Sequence, residues 1–216
     1  MKTLRIIYHM RLGDVVRCLP IAKYFADRGW YVELETLPEY HGVQDLVSYC
    51  ALVPPGLWTV PNRKLDLQVW PRRAPDFEAS GLTWQQYVYR LFPEGAEIDP
   101  LAIVFDRLPK SNRVADEALC FLTGYSQRCN PPEERTLYVA HKLFPGVPVL
   151  AIGPNYHMEK TVFDYARRVQ EAAHVLTINS SASIICSAVR ESWHHVVSKH
   201  PNEEWVDPRQ IRVAIQ

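Results

Sequence analysis

The 216 residues carry 24 basic and 24 acidic side chains, and 47% of them are hydrophobic. Such composition excludes a disordered or fibrous chain, and a net charge of zero excludes a uniformly basic nucleic-acid coat. Charges interrupt every apolar stretch well short of the roughly 18 residues of a membrane span, and Arg11 and Asp14 cut the N-terminal apolar run before a secretory core forms, so a cytoplasmic protein is expected.

In chain order, residues 3–9 (TLRIIYH) form a short β-rich run suited to a strand buried on both faces. From 14 to 28, Val15, Val16, Leu19, Ala22, Tyr24 and Phe25 recur at helical spacing, and Gly29 stands where a C-terminal cap belongs. Residues 30–37 (WYVELETL) alternate as a second strand, which completes the βαβ unit of a doubly wound sheet. Residues 65–70 read as a further strand, and 83–92 as a helix opened by a Thr83 and Gln86 capping box. Residues 114–122 read as a helix ended by Gly124. Residues 127–135, with Pro131 and Pro132, are the expected domain boundary.

Beyond the boundary, strands are expected at 147–153, 174–178, 194–198 and 211–215, with helices at 159–173 and after Asn179. The fold class is therefore α/β with two Rossmann-like lobes, an N-terminal one over 1–126 and a reduced one over 136–216. Five widely spaced cysteines with no C-x-x-C pair, and histidines without helical ligand spacing, speak against disulfides and a metal centre.

Ligands in open α/β sheets collect beyond the carboxyl ends of strands, where helix N-termini point. Two loops answer to that description: residues 10–14, and 179–183, where Ser180 and Ser181 open a helix straight after a strand. Both have a purely structural reading, since Asp14, Asn179 and the serines are also good helix caps.

The run M-R-L-G-D-V-V-R-C-L-P (10–20) resembles the N-terminal motif of the bacterial lipopolysaccharide heptosyltransferases, which are glycosyltransferases of the GT-B fold. Residues 113–124 are similar to the helix before that family's interlobe crossing, and I-G-P-N-Y-H-M-E-K (152–160) resembles its second-lobe loop with a phosphate-contacting lysine. The family's D-x-G-x-x-H signature falls on Asn179, Ser181 and Ile184, so its acid, glycine and histidine are absent. T-I-N-S-S (177–181) looks instead like a loop of capsule and Kdo-type GT-B transferases.

The resemblance implies an inverting transferase that uses a nucleotide sugar as co-substrate and no cofactor. In it Asp14 takes the proton of an acceptor hydroxyl, while Lys160, His157, Asn179, Ser180 and Ser181 bind the donor diphosphate. The chain has no D-x-D pair for a donor-bound metal, so a metal-independent reaction is expected. Arg11, Arg17, Arg72 and Arg73 are candidates for an anionic acceptor, and Trp58, Trp70 and Trp84 for stacking.

The acceptor is expected to be a hydroxymethylated pyrimidine in virus-type DNA, flipped out and held by a strip of Arg11, Arg17, Lys23, Arg72 and Arg73, or a saccharide, with a slight preference for DNA. A viral chain would act in the host cytoplasm. A different class of function stays open, a non-catalytic module that binds a nucleotide or nucleotide sugar.

Overall fold

The computed structural model describes residues 1–9, 11–68, 74–122, 131–153, 156, 158–197 and 205–214. Of the expected site residues, His157, Arg72 and Arg73 lie outside these, as does Trp70. The chain divides into two compact units, Met1–Leu108 and Pro109–Gln216.

The first unit begins with β1 (Lys2–Ile7), α1 (Leu12–Arg17), α2 (Leu19–Ala26) and β2 (Trp30–Glu35). The expected single helix is two, because Pro20 has no N–H to donate back along the chain and instead occupies the first turn of α2, where that loss is harmless. Gly29 closes the segment at φ 77°, a conformation that favours glycine. After β3 (Ala51–Val53) and β4 (Arg63–Asp66) come the short α3 (Pro75–Ala79) and α4 (Trp84–Tyr89). The latter carries the expected Thr83 and Gln86 capping box.

The strand order is β3-β2-β1-β4, and every pairing is parallel. Leu4, Ile6, Val32 and Leu34 are at most 1% exposed, so burial alone contributes about 1.5–3 kcal/mol for each at the upper bound. Arg5 sits in register with Glu33 on the same sheet, and both are buried. The guanidinium donates two bonds to Glu33 Oε2, at 2.8 and 2.7 Å, and a third to the Leu57 carbonyl at 3.0 Å.

The second unit contains β5 (Ala115–Phe121), α5 (Glu133–Leu143), β6 (Val149–Ile152), α6 (Val162–Glu171), β7 (Ala172–Thr177), α7 (Ser181–Val189), β8 (Trp193–Val196) and β9 (Gln210–Val213). Its parallel order is β6-β5-β7-β8-β9. One face buries Ala118, Cys120, Leu122, Leu176 and Ile178 against Ala140 and Phe144 of the α5 segment. Phe121 points to the other face and meets Tyr165 of α6 edge-on at 5.5 Å.

The segment at 114–122 corrects the sequence reading, since it is a strand and not a helix. A short apolar run has no period that separates a buried strand from a buried helix, and the helix-forming Ala, Glu and Leu residues yield here to pairing with β6 and β7. Because β5 belongs to the second sheet, the units part at Leu108 and not at 127–135. No helix among the described residues is long and apolar enough to cross a membrane.

Candidate functional site

Strand order locates the candidate sites. In the first unit the order reverses between β1 and β4, and in the second between β5 and β7. At such switch points the loops leave in opposite directions and open a crevice beyond the carboxyl ends. Asp14 follows β1, and Asn179 and Ser180 follow β7, so each sequence-selected loop stands at a switch point.

Asp14 is not the cap of its helix. Arg11 holds the N-cap position of α1 without a side-chain cap bond, and Asp14 is the third helical residue, in the first turn. The helix dipole favours a carboxylate there, although in so short a helix weakly. Its side chain is 19% exposed, and Arg17 Nη1 stands 3.6 Å from Oδ1. Burial pushes the Asp14 carboxyl above the usual aspartate range, against the pull of Arg17 and Arg11. A carboxylate so raised is a better proton acceptor than a solvated one.

Arg17 is thereby placed differently from a surface arginine awaiting an acceptor: it is buried, and its charge acts on Asp14. Tyr89 of α4 donates to the Arg17 carbonyl at 2.8 Å and fixes the end of α1. Tyr8, also buried, has its phenol pushed up by burial and by the Asp14 charge. Lys23 gives its ammonium to Asp27 at 2.8 and 2.9 Å. Trp84 is buried and packs on Phe77 at 5.1 Å, a core role, whereas Trp58 is 97% exposed.

The sequence reading missed His9, whose Nε2 lies 2.8 Å from Glu35 Oε1 at the same strand end. Its signal was present: Glu33 and Glu35 sit two apart on one strand face, beside Arg5 in the neighbouring strand.

In the second unit, α7 begins at Ser181 with Ser180 as N-cap. The Ser180 hydroxyl makes no cap bond and turns back to the Ile178 carbonyl at 3.3 Å. The helices α6 and α7 pack against one another, with Tyr165 one turn into α6 and Ser181 in the first turn of α7. Lys160 is exposed and immediately precedes Thr161, the cap of α6, whose hydroxyl accepts from the Asp164 N–H at 3.0 Å. Lys160, Ser180 and Ser181 thus share the carboxyl edge of one sheet.

Beneath that edge lies a polar cluster that pattern reading passed over. His195 of β8 is fully buried, with Nδ1 2.8 Å from Thr177 Oγ1 and 3.3 Å from Ser183 Oγ, and Gln210 donates to Ser183 Oγ at 2.9 Å. A separate cleft of about 340 Å³ flanks α6 and the start of β5. Arg167 and Arg168 on its wall are already paired with Glu171, Glu117 and Glu159. Among the described residues no group of His, Cys, Asp and Glu is arranged to hold a metal ion.

No protein-family model matches the chain, and no curated protein does. Solved structures do. The iron-containing dodecameric glycosyltransferase TibC of enterotoxigenic E. coli is 12% identical, with a TM-score of 0.71 over 97% of this chain and 62% of that one. E. coli heptosyltransferase WaaC with ADP is 13% identical at a TM-score of 0.61, covering 98% of this chain and 90% of that one. A family 9 glycosyl transferase from Veillonella parvula is 10% identical at 0.55, covering 100% and 87%.

The fold is accordingly that of a Rossmann-like GT-B glycosyltransferase, reduced in size. Its structural neighbours are heptosyltransferases and a family 9 transferase, and the chain spans about 62% of the length of TibC.

Proposed function

We propose that the chain is a nucleotide-sugar-dependent, inverting glycosyltransferase of heptosyltransferase type. The observation that carries the reading is Asp14, a partly sheltered carboxylate with a raised pKa at the switch point of the first sheet. The acceptor oxygen attacks the anomeric carbon, its proton passes to Asp14, and the bond from that carbon to the diphosphate breaks, its electron pair leaving with the nucleotide. Negative charge grows on the departing phosphate, and the Lys160 ammonium with the N–H groups opening α7 is suited to receive it. The absence of D-x-D from the sequence supports a reaction without a donor-bound metal.

WaaC is seen with ADP and TibC with ADP-D-β-D-heptose, which makes ADP-heptose the first donor to try. For the acceptor, a saccharide hydroxyl is now favoured over DNA. Of the described members of the basic strip, Arg17 is buried beside Asp14, Lys23 is paired with Asp27 and Arg11 is half-buried, which leaves little fully exposed positive charge to follow a phosphate backbone.

The test is transfer of labelled sugar from ADP-heptose to core oligosaccharide and, in parallel, to duplex DNA containing 5-hydroxymethylcytosine. Label on oligosaccharide supports the reading, and label on DNA alone restores the nucleic-acid acceptor. Stabilisation by nucleotide with neither transfer nor donor hydrolysis identifies a binding module.

A further inference from the structure

The guanidinium of Arg168, two turns into α6, spans two carboxylates from different elements. Nη1 is 2.9 Å from Glu159 Oε1, in the loop after β6, and Nη2 is 3.0 Å from Glu117 Oε1 in β5. Glu117 lies where the β5–β7 register shifts, between Ala115 and Ala118, an irregularity that re-aims side chains. Glu159 is the residue immediately before Lys160. The planar, permanently charged fork suits this double contact, and a lysine ammonium cannot reproduce it. The two carboxylates in turn hold the Arg168 charge, raising its pKa against the effect of burial.

We infer that Arg168 is a positioning residue for Lys160: by tying Glu159 to Glu117 it fixes the loop that presents the lysine to the donor diphosphate. The inference rests on the donor-site reading above. The other end of the same loop is already fixed, because Thr161 caps α6 through Asp164. Lys160 is therefore the exposed residue between two anchors, Glu159 on the sheet side and Thr161 on the helix side. A backbone held in this way leaves less loop freedom to be lost when Lys160 meets a phosphate, so the anchor acts on affinity without touching the ligand.

The test is calorimetric binding of ADP, UDP, GDP and CDP, the tightest being carried forward, to wild type, Lys160→Ala, Arg168→Gln, Arg168→Lys and the double variant Lys160→Ala with Arg168→Gln, each with its melting temperature. Lys160→Ala is expected to weaken binding about tenfold and Arg168→Gln about three- to fivefold, with Arg168→Lys rescuing little. In the Lys160→Ala background, Arg168→Gln should then have no further effect. The same loss in both backgrounds means that Arg168 serves the fold alone and overturns the inference. Lys160→Ala weakening binding while Arg168→Gln leaves it unchanged also overturns it, with the donor site intact. Lys160→Ala without effect, or no nucleotide bound by wild type, overturns the donor-site reading and the inference together.

Discussion

Arg17 Nη1 stands 3.6 Å from Asp14 Oδ1, one turn along α1, with both side chains largely withdrawn from solvent. The pair balances two opposed demands. Burial alone drives Asp14 toward its protonated form, in which it cannot accept a proton, while the neighbouring guanidinium draws it back toward the carboxylate.

Asp14→Asn should abolish transfer and leave nucleotide binding intact. Asparagine keeps the size of the side chain but not its basicity, so initial rates with labelled donor should fall by at least about a hundredfold. Calorimetry of the nucleotide should give the wild-type Kd. A variant retaining activity within a fewfold of wild type would remove Asp14 from the chemistry.

The raised Asp14 pKa fixes the sign of two pH effects. The rate should fall on acidification with a midpoint above the 3.8 of an ordinary aspartate, since protonated Asp14 accepts nothing. For stability, a carboxyl whose folded pKa exceeds its unfolded one contributes fully below 3.8 and loses that contribution as pH rises through the folded value. Asp14→Asn should therefore gain in melting temperature relative to wild type on going from acid to neutral pH. A difference independent of pH would show that the carboxyl is not shifted.

Ser181→Asp should weaken nucleotide binding by about tenfold or more, because it sets a negative charge where the diphosphate is proposed to sit. The same charge is favourable to the start of α7, so the fold should survive. Circular dichroism melts with calorimetry separate the two effects. Unchanged affinity would move the donor away from this helix.

Addition of EDTA should leave the transfer rate unchanged, as the lack of a D-x-D pair implies. Loss of activity restored by Mn²⁺ or Mg²⁺ would establish a donor-bound metal.

The legible parts of this fold were those whose period is unambiguous. The alternation of residues 30–37 and the Thr83–Gln86 capping box each dictate one local geometry, and each is present, while the helical spacing after Asp14 is met by two helices that part at Cys18. Val114 to Leu122 was illegible because a central strand buried on both faces has no period of its own, and with it went the domain boundary. At the site, Asp14 and Ser180 were reachable from loop position alone. What Asp14 experiences was not, because its pKa depends on burial and on the placement of Arg17 and Arg11, and the His195 cluster joins residues from β7, α7, β8 and β9 that sequence spacing does not connect.

Gly95→Ala should be the most damaging small substitution in the first unit, and it should reach the site without touching it. A Cβ at Gly95 would overlap the Tyr89 carbonyl oxygen and lie 2.6 Å from its carbonyl carbon, a collision with backbone that no side-chain rotation relieves. The C-terminal end of α4 must then shift, and the Tyr89 hydroxyl that holds the Arg17 carbonyl moves with it. A loss of about 3 kcal/mol or more is expected, a fall in melting temperature of more than about 10 °C for a unit of this size. Gly29→Ala is the control: its φ of 77° makes a side chain unfavourable, but nothing lies within 4 Å of the added Cβ, so the cost should stay near 1 kcal/mol. At a temperature where both variants remain folded, Gly95→Ala should also lose transfer activity while Gly29→Ala retains it. Equal melting temperatures for the two would mean that the chain around Tyr89 yields easily, and that the hold of Tyr89 on α1 is not what keeps Arg17 beside Asp14.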